Sequence, residues 1–205
     1  MTPLKYLLYP PKAEPPAPYP LIIFLHGVGE RGDDLELLKK YGLPHYTEIG
    51  EVTLPAYIAV PQCPAEVRWD EVLDELDTML AELLANQPID PKRVYLIGFS
   101  MGGFGTWSWA LRRPERFAAL MPVGGSGFLT HELERLKDKP LWMIHGALDP
   151  IVAVGGADAT AARLSALGSK FGYTRYPDAN HGQTSDRAFA DMALYRWLLA
   201  QKLYP

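Results

Sequence analysis

The sequence predicts an α/β fold: a mostly parallel sheet held between helices on both faces. Three observations predict it. Short, unbroken apolar runs rich in Ile, Val, Phe and Tyr recur along the chain, helical patterns separate them, and residues able to do chemistry stand directly behind the runs. Strands covered on both faces read as continuous apolar runs because neither face meets water. In an open sheet of this kind ligands bind beyond the carboxyl ends of the strands, where the residues that follow the runs collect.

The elements follow in order. Residues 10–20, PPKAEPPAPYP, hold six prolines. They are expected to form a stiff connector kept out of a sheet interior, with a docking motif for a partner's aromatic groove as the lesser reading. The strand runs are Leu21–Leu25, Tyr57–Val60, Val94–Phe99, Ala118–Val123 and Leu141–Ile144. Phe171–Tyr176 is interrupted by polar residues and belongs nearer the sheet edge. A helix is expected over Asp70–Asn86, where Val72, Leu76, Met79, Leu80, Leu83 and Leu84 make one stripe, before Pro88. A second runs from Met101 to Arg113 and is stopped by Pro114, and a third covers Ala157–Leu167, closed by Gly168. The last is expected over Asp186–Gln201, with Ala190, Ala193, Leu194, Trp197 and Leu198 on one side.

Composition removes several function classes. With 205 residues, 48% hydrophobic and 21% charged, the expectation is a single folded domain. Twenty basic and 24 acidic residues leave a net charge of −4 with no basic run, which argues against nucleic acid as a partner. The single cysteine, Cys63, cannot make an internal disulfide, reads as a small buried residue, and leaves no zinc-ligand cluster. His26, His145, His181 and Asp149 lack ligand spacing, so no metal is expected. Met1 to Pro11 lacks the pattern of a signal peptide, and no apolar run approaches the roughly 20 residues of a membrane span. The expectation is a cytoplasmic protein without a membrane partner.

Gly98-Phe99-Ser100-Met101-Gly102 fits G-x-S-x-G between an expected strand and an expected helix. A serine on so sharp a turn is strained, and glycines two residues to either side avoid collision. The turn lifts the Ser100 hydroxyl above the sheet at the positive end of a helix dipole. No Lys-Ser, Lys-Thr or G-x-G-x-x-G accompanies these glycines, so a nucleotide site is not expected. A serine hydroxyl needs a base, and the base needs an orienting acid. His181 lies between the last strand and the last helix, and Asp149 follows the run Leu141–Ile144. Asp178 is the competing acid. His26 and His145, each at a strand end before glycine, suit hydrogen-bonded structural roles, and His45 and His131 suit solvated ones. Two backbone donors are needed for an oxyanion, and Met101 and Val28 are the candidates. Glu30 and Arg31 form either an ion pair that fixes this loop or a solvated surface pair. Trp69, Phe99 and Phe104 are candidates to line a substrate pocket, with simple packing the competing role for Trp69. Trp107 and Trp109 read as core.

The strings LHGVGERGDD, VPQCP (Val60–Pro64) with Trp69, GFSMGGFGTW and HGALDPIV together resemble the α/β-hydrolase superfamily from about Leu21 to Leu199. The branch holds small carboxylesterases, inferred peptidases and polyhydroxyalkanoate-depolymerase-like enzymes. It is also similar to dienelactone hydrolases, although those carry Cys where this chain has Ser100. The resemblance implies a three-layer α/β-hydrolase fold and a Ser100–Asp149–His181 triad with donors at Val28 and Met101. No cofactor is implied, and the partner is a small-molecule ester. Only Gly124 to Lys139 separate two strands where many relatives insert a lid, so no large lid is expected. The expected activity is carboxylic-ester hydrolysis through an acyl-enzyme. The alternatives are peptide, amide or thioester cleavage by the same residues, or a ligand receptor without catalysis.

Overall fold

The computed structural model describes residues 3–12, 17–127 and 131–203, without the side chain of His131. Seven strands of the described residues make one sheet: β1 Tyr6–Tyr9, β2 Tyr19–Leu25, β3 Tyr57–Pro61, β4 Ile89–Phe99, β5 Ala119–Val123, β6 Trp142–Gly146 and β7 Gly172–Tyr176. Their order is β1-β3-β2-β4-β5-β6-β7. Only β1, against β3, pairs antiparallel. Among the described residues six α-helices accompany them: α1 Gly42–Glu48, α2 Leu73–Asn86, α3 Met101–Arg112, α4 Gly155–Ala166, α5 His181–Ala190 and α6 Met192–Leu199.

Successive side chains of a strand point to opposite faces, so each buried strand feeds two cores. Leu21, Ile23 and Leu25 of β2 and Leu96 of β4 pack with Leu76, Leu80 and Leu83 of α2 and with Trp107 and Trp109 of α3. Ile22, Phe24, Tyr95 and Ile97 face the other way, toward Leu43 of α1, Phe189 of α5 and Tyr195 and Leu198 of α6. This division makes the three layers, and it explains why the strand runs show no polar alternation.

Several expectations need correction. The proline segment does enter the sheet at its end: Tyr19 and Pro20 open β2, and Tyr19 pairs with Ile89. The register slips between Tyr19 and Leu21, where Pro20 has no N–H for the ladder. Residues 13–16 of that segment lie outside the described residues. The expected C-terminal helix is two helices, because Asp191 is extended and its carboxylate caps α6 by accepting from the Ala193 N–H at 2.8 Å. The helix expected from Asp70 starts at Leu73, after a 3-10 turn at Trp69–Glu71. Two further elements, β1 and α1, carry no clear sequence signal. The half-buried β1 is too short for a run signal, and α1 contains Gly42 and Pro44, which weaken a helical pattern. Among the described residues nothing larger than a 3-10 helix, His131–Leu136, lies between β5 and β6. No helix among them is long and apolar enough to cross a membrane.

Candidate active site

β4 ends at Phe99 and α3 begins at Met101, leaving Ser100 alone on the corner. Its φ of 55° and ψ of −115° make it the one non-glycine residue at positive φ among the described residues. A side-chain-bearing residue rarely holds that conformation without function. The flanking glycines are required by their surroundings. A Cβ on Gly98 would strike the carbonyl of Gly102, and one on Gly102 would strike the carbonyl of Leu25 at the end of β2. The Ser100 N–H donates to the Val123 carbonyl at 2.9 Å, which ties the corner to β5.

The loops after β6 and β7 are laced together. Ala147 N–H donates to Tyr176 O (2.8 Å) and Leu148 N–H to Ala179 O (3.1 Å). Gly146 permits this approach, since a Cβ there would meet Ala179 O and Thr184 Oγ1. The result brings three distant residues into a chain of hydrogen bonds. The Ser100 hydroxyl lies 2.8 Å from His181 Nε2, and His181 Nδ1 lies 2.5 Å from Asp149 Oδ2. Asp149 is buried, and its Oδ1 accepts from the Ile151 and Val152 N–H groups at 2.9 Å each. Burial pushes the carboxyl upward, but the His181 hydrogen bond and the Val152 and Ile151 amides outweigh it and hold Asp149 below the usual aspartate value. Phe99 lies against the imidazole with ring centres 4.6 Å apart. The buried His145 sits beside the same carboxylate: its Nε2–H donates to Val152 O at 2.8 Å and lies 3.5 Å from Asp149 Oδ2.

The competing residues sit elsewhere. Asp178 is exposed and accepts from Arg187 at 2.6 and 3.1 Å, so it is not the carboxylate beside His181. His26 is buried: its Nδ1–H donates to Gly27 O (2.6 Å), and its Nε2 accepts from Cys63 N–H (3.0 Å). His45 is half-buried on α1, with Nδ1 3.3 Å from Lys39 O, rather than freely solvated. Cys63 is buried, and burial pushes its thiol up to about 12. Trp69, a candidate substrate contact by sequence, lies in the core instead. It is 1% exposed, donates Nε1–H to His26 O at 3.0 Å, and packs edge-on against the His26 ring. Trp107 and Trp109 are core. Glu30 and Arg31 make no ion pair. Glu30 is buried with Oε2 3.7 Å from His26 Nδ1, whereas Arg31 donates to the Val28 and Val67 carbonyls, each at 3.2 Å.

Ser100 borders two cavities of about 300 and 310 Å³. His181, Phe99, Tyr41 and Ile151 line one, and Arg31, Arg68, Met101, Phe104 and Val152 line the other. Val28 borders both. The Met101 N–H, at the first position of α3, has no acceptor within its own helix. The sequence does not mark Tyr41, Ile151, Arg31 and Arg68 as site residues, because each belongs to a loop or turn whose path no local pattern reveals.

A serine on a β4–α3 corner, with its two partners on later loops at the same sheet edge, is the arrangement of the α/β-hydrolase fold. Solved structures agree: a thermostable esterase superposes with a TM-score of 0.83 at 31% identity, covering 97% of this chain and 59% of that one. The chain belongs to the dienelactone hydrolase family, whose model matches residues 59–194. Among curated relatives, NocK of Nocardia uniformis subsp. tsuyamanensis, named as a candidate esterase, is 29% identical over 162 residues, 74% of this chain and 46% of that protein. Acyl-protein thioesterase 1 of Gibberella zeae is 24% identical over 199 residues, 78% of this chain and 82% of that protein. The chain thus spans about half the length of NocK and 59% of the thermostable esterase.

Proposed function

We propose that this protein hydrolyses carboxylic esters through an acyl-enzyme on Ser100. The observation that carries the reading is the hydrogen-bond chain from Ser100 through His181 to a buried, ionised Asp149. Ser100 Oγ bonds to the ester carbonyl carbon while its proton passes to His181 Nε2. Asp149 accepts from Nδ1–H, fixes the tautomer and stabilises the imidazolium. The negative oxygen of the tetrahedral intermediate takes hydrogen bonds from the Val28 and Met101 N–H groups. The carbon–oxygen bond to the alcohol then breaks, and His181 returns its proton to the leaving oxygen. Water enters, gives a proton to His181 and attacks the acyl-enzyme, releasing the carboxylic acid and restoring the Ser100 hydroxyl. No metal or cofactor takes part.

Thioester cleavage by the same residues is the second reading, favoured by the likeness to an acyl-protein thioesterase over 78% of this chain. The test is turnover of 4-nitrophenyl acetate and butyrate together with labelling by a fluorophosphonate. Ser100→Ala is expected to abolish both while leaving the thermal unfolding profile folded and cooperative. A label on any other residue, with ester turnover intact in Ser100→Ala, rejects the proposal. Parallel kcat/KM values for matched acyl esters and acyl thioesters separate the two readings.

A further inference from the structure

Exposed apolar side chains are ordinary where they are scattered, but in this chain they gather. Among the described residues five large apolar side chains stand open to solvent: Val28, Tyr41, Ile49, Leu148 and Ile151. Val28, Tyr41 and Ile151 line one cavity, the one beside Ser100 that His181 also lines. They reach it from three segments far apart in the chain: the turn after β2, the residue before α1 and the loop after β6. Tyr41 is 61% exposed and Ile151 71%, so neither contributes much to the core. Apolar groups collected around one opening mark a place that receives another apolar surface. Phe99 adds a second aromatic ring to the same wall, against the His181 imidazole. The cavity holds about 310 Å³. A water occupies about 30 Å³ of liquid, so a methyl group there leaves most of the space wet.

His181 decides which half of an ester enters. Its Nε2 gives a proton to the leaving oxygen, so the group carried on that oxygen extends along the wall to which His181 belongs. The lining also includes the acids Glu30 and Asp186 and, among the described residues, neither Lys nor Arg. An anionic alcohol would meet like charge there. We infer that the leaving alcohol of the preferred substrate is a bulky arylmethyl alcohol without negative charge, and that Val28, Tyr41, Phe99 and Ile151 recognise it. This inference rests on the proposed Ser100 chemistry. Aromatic rings suit the wall because they bury a large apolar area and pack edge-to-face or offset against Tyr41 and Phe99. Hydrolysis takes up one water, breaks the bond between the acyl carbon and the alcohol oxygen, and releases the arylmethyl alcohol and the carboxylic acid.

The test compares methyl, benzyl and 2-naphthylmethyl butyrate by acid release at constant pH, read as kcat/KM. The three alcohols are of similar acidity, so the ratios report recognition and not leaving-group ability. The benzyl ester is expected to lead the methyl ester by about tenfold or more, with the naphthylmethyl ester at least equal to it. Tyr41→Ala and Ile151→Ala are each expected to cut the benzyl-to-methyl ratio about three- to tenfold. The ratio of methyl butyrate to methyl acetate is expected to stay at its wild-type value in both, because the acyl half lies outside this cavity. A ratio is independent of how much of a variant is folded, so a merely structural role would move neither. Benzyl butyrate carrying a carboxylate on the ring is expected to fall several-fold below its parent at low salt and to recover in part in 0.5 M NaCl. Asp186→Lys is expected to narrow that gap. A wild-type benzyl-to-methyl ratio below about three, with methyl butyrate turned over and Ser100 labelled, overturns the alcohol subsite and leaves the esterase reading standing. Unchanged benzyl-to-methyl ratios in both alanine variants overturn it equally. No turnover of any ester, with no Ser100 labelling, overturns both readings.

Discussion

Ser100 adopts a backbone conformation that a serine rarely holds, and the cost is met by strand and helix on either side of it. At this scale the sequence was informative because G-x-S-x-G has a mechanical cause that its two glycines display. The acid was harder to read, since both Asp149 and Asp178 stand within reach of His181 along the chain. Solvation separates them in the structure: Asp149 is buried and takes two amide hydrogen bonds, whereas Asp178 is exposed and held by Arg187. Asp149→Asn is therefore expected to lower kcat on 4-nitrophenyl butyrate by roughly three to four orders of magnitude, because the imidazole loses its orienting acceptor. Asp178→Asn breaks only a surface pair and is expected to stay within about twofold. The reverse result would move the acid to residue 178. The sequence leaves Trp69 open between wall and core, because an indole serves equally well in either. Its burial here comes from α3, where a Cβ on Gly105 would press into the Trp69 side chain.

Elements carry the site by where they stop. The strand runs were legible because burial on both faces removes polar residues from them, and Pro114 and Gly168 mark helix ends by known backbone limits. The split between α5 and α6 was not legible, because an apolar stripe continues across Asp191 while the backbone there turns extended. Removing that cap by Asp191→Ala is expected to cost about 1 kcal/mol in urea unfolding with little change in ester turnover. Gly146 has the opposite profile. Its missing Cβ lets the β6 loop lie against the Ala179 carbonyl, and Asp149 and His181 sit on those two loops. Gly146→Ala is expected to lower kcat at least tenfold, by forcing the two loops apart, and to lower Tm as well. Unchanged kcat in that variant would show that the loop spacing is slack.

For the molecule as a whole, acid stability follows from a histidine the proposed chemistry does not use. Burial lowers His26 from an ordinary value of 6.5 to about 4; the Gly27 carbonyl offsets this in part and the Arg31 charge adds to it. Between those values the unfolded chain binds a proton that the native core refuses, so stability is full above pH 6.5 and falls toward pH 4. The slope is about 1.4 kcal/mol per pH unit for one such group, a few kcal/mol across the window. Burial raises Glu30, which works in the opposite sense, and the lowered Asp149 loses its contribution only at more acid pH. Urea unfolding of the wild type at pH 7, 6 and 5 is expected to show this decline, and His26→Gln is expected to flatten it. An equal slope in both proteins would remove His26 as the cause.

The sequence by itself determined the two-faced strand pattern, the serine corner and the order of the three candidate site residues, because each is a property of local backbone geometry or of burial along one segment. Tertiary structure alone decided which aspartate meets His181, that Trp69 lies inside, and that two arginines face one side of Ser100 and two acids the other. Those outcomes depend on how loops far apart in the chain settle against one another, and the energies that place them come from contacts between segments rather than within any one of them.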